Sequence, residues 1–323
     1  MTVEPLRPLL AGVCAFVLTA LAMPATLRLL RRLGLQQVVR RQGPASHLIK
    51  EGTPTAAGLV LVPAACLAAW AFDPRSPTLW AALVVTLGHA LLGFADDYLK
   101  VVRRRPEGLK ARYKLVGQLA LTAWLAGFAL AVRPEAQAVL VPFTDLRLWL
   151  GPVGFLLLTL VAVLGATNGA NFTDGADGLL ASTGTAALVA LGIIAWRLGD
   201  PGLASLGFAL AGSLVAFLFW NWYPARVFMG DTASMAVGAA LAAIAVLTAA
   251  TLYLPLVGLL FLLEVLSVIL QVGCFRLTGR RLLRMAPLHH HLELGGWREG
   301  RLVPRLLAFA LASAVVGLVA FRW

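Results

Sequence analysis

Ten long runs of apolar residues constrain the fold of this chain more than any other feature. They cover about residues 8–27, 56–72, 78–95, 115–132, 149–166, 178–196, 202–220, 232–250, 255–275 and 304–321. Most approach the roughly 20 residues that a helix needs to cross about 30 Å of hydrocarbon. Continuous apolar runs are also unlike the alternating strands of a transmembrane β-barrel. We therefore predict an all-α, polytopic membrane bundle of about ten transmembrane helices.

The composition agrees with a chain that lies mostly within a membrane. Hydrophobic residues make up 60% of the sequence and charged residues only 13%, whereas soluble domains have roughly 45–50% and about 25%. The longest polar stretches run to about 30 residues, which is too short for a separate soluble domain. We predict one integral membrane domain over residues 1–323, so any chemistry must occur on loops and helix ends.

The positions of the basic residues predict the orientation of the bundle. Five connecting segments on one side cover about 28–55, 96–114, 167–177, 221–231 and 276–303. Twenty-one of the 27 Lys and Arg residues lie in or directly beside these segments. Basic loops remain in the cytoplasm, so both termini are expected on the outer, periplasmic side. The net charge of +12 is then explained by a membrane surface, and no nucleic-acid partner is expected.

Adjacent carboxylates end the third apolar run, at Asp96 and Asp97. Two neighbouring carboxylates repel each other unless a cation balances them. Such a pair suits Mg²⁺, which binds carboxylate and phosphate oxygens, and it also suits a general base. Lys100 and Lys114 flank the pair and are expected to contact substrate phosphates.

Three further cytoplasmic segments carry more polar residues than a simple connection needs. Lys50 to Thr55 forms a Gly- and Pro-containing turn in which Lys50 can face an anion and Thr55 can cap the next helix. The segment 168–178 includes Asn171, Asp174 and Asp177, and the two aspartates would share a face if they were helical. The segment 221–234 includes Asn221, Phe228 and Asp231; Asp231 is either a helix N-cap or a metal-side carboxylate, and Phe228 can stack on a base.

A run of three histidines, His289 to His291, forms the fifth polar segment. Its spacing is unlike a helical zinc site, and it favours phosphate hydrogen bonding or proton transfer near neutral pH. Glu264, Ser267 and Gln271 form a polar stripe within the ninth run. We expect this stripe to bond helix to helix.

These segments, taken together and in order from Lys50 to Trp297, make the chain similar to a known family. It resembles the phospho-N-acetylmuramoyl-pentapeptide transferases, within the polyprenyl-phosphate N-acetylhexosamine-1-phosphate transferase superfamily. The aspartate-containing segments at 93–100 and 171–178 are typical of the superfamily. The segment from Met285 to Trp297 resembles the muramoyl branch specifically.

The resemblance implies ten transmembrane helices, often in a homodimer, in the bacterial inner membrane with the active site on the cytoplasmic face. It implies transfer of phospho-N-acetylmuramoyl-pentapeptide from UDP-N-acetylmuramoyl-pentapeptide to undecaprenyl phosphate, giving lipid I and UMP, with Mg²⁺. The implied catalytic residues are Asp96, Asp97, Asp231 (also the magnesium ligand) and His290. The implied substrate-binding residues are Lys50, Thr55, Lys100, Lys114, Asn171, Asp174, Asp177, Asn221, Phe228, His289 and His291.

Several positions depart from the family pattern, and alternatives remain open. Ala56, Ala57, Trp222, Ala233 and Leu292 replace the usual residues without removing a charge, so they bear on loop geometry. The nearest alternative is a sibling transferase that uses UDP-N-acetylglucosamine, and a transporter is a more distant one. The sequence does not choose between direct attack by the lipid phosphate and a covalent aspartyl intermediate. We favour direct attack because a phosphate acceptor is already nucleophilic.

Overall fold

A computed structural model describes residues 6–36, 52–105 and 107–322, and helices dominate this part of the chain. It contains twelve α-helices: α1 Arg7–Arg32, α2 Gly58–Phe72, α3 Pro77–Val101, α4 Ala111–Val132, α5 Gly151–Thr173, α6 Leu179–Arg197, α7 Pro201–Asn221, α8 Gly230–Leu247, α9 Leu254–Val257, α10 Leu259–Thr278, α11 Leu288–Leu294 and α12 Glu299–Ala320. A two-stranded antiparallel sheet joins β1 (Ala138–Leu140) to β2 (Arg147–Trp149).

The prediction of a polytopic helical membrane protein is confirmed. Within the described ranges, nine helices are long and apolar enough to cross a membrane. The second predicted span, 56–72, corresponds to α2, whose 15 residues are shorter than the roughly 17–25 that a spanning helix has. The side on which the termini lie remains a prediction from the basic residues.

Helix α8 lies at the centre of the bundle. From Thr232 to its end at Leu247 every residue is buried, and most are alanines or other small residues. Small side chains let neighbouring backbones approach closely, which is how membrane helices gain packing energy. At Gly238 a methyl group would overlap the backbone of Ala166 and Thr167 in α5. The glycine is therefore required for the α5–α8 contact.

The first helix packs against α7 in the same direction. Gly12 meets Gly212 with their backbones in contact, and further along both helices the rings of Phe16 and Phe219 lie 6.2 Å apart. Thr19 of α1 also shares a hydrogen bond of 2.8 Å with Ser213 of α7. Residue numbers increase together along the two helices, so α1 and α7 run parallel. Their carboxyl ends therefore lie at the same end of the bundle.

Three features differ from the sequence prediction. The β1–β2 hairpin was not expected in an all-α chain; its mostly apolar strands flank a connection that contains Pro142 and Asp145, residue types that favour turns. The ninth span is interrupted at Gly258, where α9 ends and α10 begins. The last helix begins at Glu299 and contains Pro304 in its second turn.

Helices also extend into the predicted connecting segments. Asp96, Asp97 and Lys100 lie on the last two turns of α3, and Lys114 lies on the first turn of α4. Asn171 is likewise helical, near the end of α5. Helical backbone fixes these side chains more firmly than loops would, so the geometry of the polar cluster follows from the packing of α3, α4, α5 and α8.

The crossing of α3 and α8 depends on Gly93. A Cβ there would overlap the backbone of Asp231 and Thr232, so we expect Gly93→Ala to lower the free energy of unfolding by about 1–3 kcal/mol. Thermal unfolding of purified protein in detergent, followed by circular dichroism, measures this change. Gly127→Ala in α4 is the matched control: nothing lies within 4 Å of its Cβ position, so it should not destabilise. Equal melting temperatures for the two variants would contradict the prediction.

Candidate active site

The site is built around the amino terminus of α8, which Asp97 of α3 caps. The first backbone N–H groups of a helix have no partner within the helix and carry partial positive charge. Asp97 Oδ1 accepts a hydrogen bond from the Asp231 N–H at 3.0 Å. Asp97 Oδ2 accepts from the Thr232 N–H at 3.0 Å and from its hydroxyl at 2.7 Å. The sequence allowed Asp231 to be the N-cap, but Asp231 lies inside the first turn and Asp97 satisfies the donors.

Asp231 is consequently free to contact side chains from three other helices. Its Oδ2 lies 3.0 Å from Lys114 Nζ and 3.1 Å from Lys100 Nζ. Its Oδ1 accepts a hydrogen bond of 3.0 Å from the Asn171 amide, which also donates to Ser234 at 2.8 Å. Side chains from α3, α4 and α5 therefore converge on one carboxylate of α8, and 18% of that side chain remains exposed.

Asp96 completes a group of three carboxylates. Its Oδ1 accepts a 2.7 Å hydrogen bond from the Leu109 N–H, and Lys100 forms an ion pair with its other oxygen. Gly108 makes this loop possible, because its φ of +62° is left-handed and a Cβ would lie 2.6 Å from Asp96 Oδ1. The loop between α3 and α4 is thus fastened to the site by the aspartate itself.

The three carboxylates, at Asp96, Asp97 and Asp231, suit a divalent cation. Each offers one oxygen, and these oxygens lie within 4.8 Å of one another. Oxygen ligands are those that Mg²⁺ prefers in proteins. Three carboxylates against two lysines also leave the cluster with excess negative charge, which a divalent cation would balance.

Comparison with known proteins identifies the family. The model of glycosyl transferase family 4 matches residues 79–249. The phospho-N-acetylmuramoyl-pentapeptide-transferase of Moorella thermoacetica is 45% identical over 318 residues, which cover 98% of each chain. That of Symbiobacterium thermophilum is 45% identical over 95% of this chain and 93% of its own, and that of Anoxybacillus flavithermus is 42% identical over 96% of each. The chain belongs to the phospho-N-acetylmuramoyl-pentapeptide transferase family.

In this member of the transferase family, the segment before α2 pairs with the segment before α8. The Phe228 N–H donates to the Pro54 carbonyl at 2.9 Å, and the Ala57 N–H donates back to the Phe228 carbonyl at 3.1 Å. Thr55 is buried between them. Thr55 and Phe228, both predicted to bind substrate, therefore lie side by side, whereas Lys50 lies outside the described residues.

Asp177 and Asn221 join two loops of the transferase. Asn221 accepts from the Gly178 N–H at 3.1 Å and donates to the Val227 carbonyl at 3.0 Å. Asp177 Oδ2 accepts from the Ala225 N–H at 2.8 Å. Both side chains are buried, so these contacts hold the 174–178 loop against the 221–228 loop.

Asp174 and Asp177 would have shared one face if their segment were helical, but it is not helical. Helix α5 ends at Thr173, and both aspartates lie in the turn that follows it. The glycines that alternate with the polar residues explain the turn, because they disfavour helix. Asp174 is half-buried.

The three histidines lie on the short helix α11 and differ in environment. His289 has no exposed surface; its ring lies against Gly175, where a Cβ would overlap it. His290 Nδ1 lies 2.8 Å from Glu293, and His291 Nδ1 accepts a 3.1 Å hydrogen bond from the Arg284 N–H. The histidine segment is therefore packed directly on the 174–178 loop.

Glu264 and Gln271 fasten the histidine segment to α10, a role that the sequence did not predict. Glu264 is fully buried, accepts from the His289 N–H at 3.3 Å, and lies 3.2 Å from His289 Nδ1. Gln271 Oε1 accepts from the N–H groups of Leu282 and Leu283 at 3.0 and 2.8 Å. The polar stripe was expected to bond one helix to another: Glu264 does bond α10 to α11, whereas Gln271 binds the loop that follows its own helix.

Two further residues of the site were missed in the sequence. Thr232 gives Asp97 a third hydrogen bond, and Glu299 accepts from the Asp177 N–H at 2.6 Å. Thr232 directly follows Asp231 at the start of a predicted helix, so its position could have indicated a role in capping that helix. Glu299 is 122 residues from its partner, and no local pattern reveals such a contact.

Asp97 is expected to contribute to stability through the cap. Asp97→Ala removes three hydrogen bonds to the start of α8, and hydrogen bonds to charged groups contribute about 1.5–3 kcal/mol. We expect a clear loss of thermal stability in detergent, with Asp145→Ala as the control. Asp145 is an exposed carboxylate in the β1–β2 turn, and its removal should change stability by no more than about 0.5 kcal/mol. A melting temperature for Asp97→Ala equal to that of the control would refute the capping role.

Proposed function

We propose that this chain transfers phospho-N-acetylmuramoyl-pentapeptide from UDP-N-acetylmuramoyl-pentapeptide to undecaprenyl phosphate, releasing UMP and forming lipid I. The reaction is the first membrane step of peptidoglycan synthesis, and we assign it to the cytoplasmic face of the bacterial inner membrane. The observation that carries the proposal is the cluster of three carboxylates and two lysines in a chain whose near-full-length relatives bear that enzyme name.

We assign the bound cation to Mg²⁺, with Asp231 as its principal ligand beside Asp96. When bound, the ion neutralises the charge that develops on the departing phosphate. Lys100 and Lys114 supply two ammonium groups on the same carboxylate. In the complex with substrates we assign these ammonium groups to the phosphates of the donor and acceptor. The two lysines would then exchange a carboxylate partner for phosphate partners.

We assign Asp96 as the general base that takes the proton of the lipid phosphate. Both oxygens of Asp97 accept hydrogen bonds from the first turn of α8, which favours a positioning role for Asp97. Asp96 has one backbone donor and Lys100 as its counter-ion. Lys100 would stabilise the Asp96 carboxylate before it takes the proton. After the transfer, Lys100 would stabilise the deprotonated oxygen of the lipid phosphate. Because a phosphate acceptor is already nucleophilic, we favour direct attack: an oxygen of the lipid phosphate bonds to the β-phosphorus of the donor, the diphosphate bond breaks, and UMP leaves.

The remaining predicted residues are assigned to recognition of the donor. Phe228 would stack on the uracil ring, next to Thr55; Lys50 is assigned to the donor from its sequence motif alone. Asn171 and Asp174 would meet the nucleotide sugar. The histidine segment would provide phosphate contacts through His290 and His291, with His289 holding the segment in place from its buried position. A homodimer remains a prediction from the family alone.

The decisive assay is release of UMP by purified protein. We expect UMP release from UDP-N-acetylmuramoyl-pentapeptide that requires both undecaprenyl phosphate and Mg²⁺ and stops when the metal is chelated. UDP-N-acetylglucosamine in the same assay tests the sibling activity and should give no product. Folded protein that releases UMP only from UDP-N-acetylglucosamine would move the chain to the sibling transferases. Absence of UMP with either donor would refute the enzyme assignment.

Asp231→Asn tests the metal assignment. The substitution keeps the shape of the side chain and its contact with Asn171, but it removes the charge that faces the cation. We expect turnover to fall by at least about 10³-fold, as for loss of a main electrostatic group, and the Mg²⁺ concentration for half activity to rise. Asp145→Asn is the matched control and should retain full turnover. Wild-type turnover in folded Asp231→Asn protein would remove this residue from the metal site.

A further inference from the structure

A cleft of about 380 Å³ lies at the end of the bundle where α1 and α7 finish. It is lined by Arg31, Gln36, Gly52, Thr53, Pro54 and Arg226. Arg31 belongs to the last turn of α1, and Arg226 belongs to the loop that follows α7. Two guanidinium groups and the polar side chains of Gln36 and Thr53 therefore face one space, and none of the described residues that line it is a carboxylate.

The two arginines of the cleft are exposed and have no counter-ion in the part of the chain that the structure describes. No hydrogen bond or ion pair of either side chain is found there. The neighbouring Arg28, in contrast, donates to the Pro24 carbonyl. Unpaired guanidinium groups that converge on one cleft favour an anion, and their fork of donors matches phosphate oxygens.

Exposed apolar side chains lead along α1 to this cleft. Val13, Val17 and Leu21 are all exposed, Leu21 by 75%. At 100° per residue these three lie within about 80° of the direction of Arg31 around the helix. The apolar stripe and the arginine are therefore on one face of α1, the arginine being at its end.

A second exposed stripe runs along α7 to the same cleft. It contains Val215, Phe219 and Trp222, and Phe219 is 69% exposed. Phe219 meets Phe16 of α1 edge-to-face, with ring centroids 6.2 Å apart. Because α1 and α7 run parallel, two neighbouring apolar stripes end together below a pair of arginines. Trp222 directly follows the last residue of α7, and aromatic side chains at the ends of membrane helices are typical of the membrane–water interface.

We propose that the Arg31–Arg226 cleft binds the phosphate headgroup of an anionic phospholipid, with its acyl chains along the stripes of α1 and α7. The charge of the cleft, its place at the helix ends and the apolar surface beneath it match the three parts of such a lipid. A soluble anion would use the arginines but leave the stripes unexplained.

The cleft is distinct from the carboxylate cluster. None of the contacts of Asp96, Asp97 or Asp231 involves Arg31 or Arg226, and the cluster is formed by α3, α4, α5 and α8. Pro54 lines the cleft and also pairs with Phe228, so the cleft adjoins the segments assigned to the donor, but neither Thr55 nor Phe228 lines it. The acceptor substrate is assigned to the cluster, and the cleft to a lipid of the surrounding membrane.

The experiment measures lipid binding by native mass spectrometry of detergent-purified protein titrated with phosphatidylglycerol. Arg31→Gln, Arg226→Gln and the double variant are compared with Arg32→Gln, an exposed arginine of the same helical turn that does not line the cleft. We expect affinity for phosphatidylglycerol to fall about fivefold for each cleft arginine and not to change in Arg32→Gln. Phosphatidylcholine, whose headgroup has no net charge, should bind equally weakly to the wild type and to all four variants.

Three outcomes would overturn the proposal: unchanged phosphatidylglycerol affinity in the double variant, an equal loss in Arg32→Gln, or a loss confined to undecaprenyl phosphate in a parallel titration. Competition by inorganic phosphate alone, with no preference for the lipid, would also overturn it by indicating a simple anion site. Arg31→Gln keeps the test valid if Arg226→Gln fails to fold, because Arg31 makes no side-chain contact that packing needs. UMP release by Arg31→Gln, measured separately, distinguishes loss of this lipid from failure of the proposed reaction.

Discussion

The contact between α3 and the amino terminus of α8 is the interaction on which the rest of the site depends. Gly93 lets the two backbones touch, and one turn later Asp97 receives the unpaired N–H groups of α8. A buried carboxylate would be unfavourable alone, and unpaired helix donors would be too. Each satisfies the other, and the helix that carries Asp231 is thereby fixed relative to the helix that carries Asp96 and Lys100.

The contact between α3 and α8 also determines where the charged side chains of the site lie. Asp231 is turned away from capping and toward Lys100, Lys114 and Asn171. These residues come from three helices, so no single loop has to fold correctly for the carboxylates to meet. A cluster held by helix packing is preorganised for a cation and for phosphates, and preorganised charge is the main source of electrostatic catalysis.

The sequence predicted the helical membrane bundle because apolar runs of this length have few other solutions. It also predicted that Asp96, Asp97, Asp231, Lys100 and Lys114 belong together, since their segments were assigned to one face. The separate roles of these carboxylates could not be predicted, because whether Asp97 or Asp231 caps α8 depends on where α3 crosses α8. Glu264 and Glu299 were assigned no site role because their partners are distant in sequence, as is usual for contacts made by tertiary packing.

The two attachments of the histidine segment to α10 have a mechanical meaning. Glu264 and Gln271 are seven residues apart, or two helical turns, and each holds a different part of the 282–289 backbone. Two anchors prevent the segment from pivoting about either one. His289, at the end held by Glu264, also lies against Gly175, so one buried side chain joins α10 to the 174–178 loop.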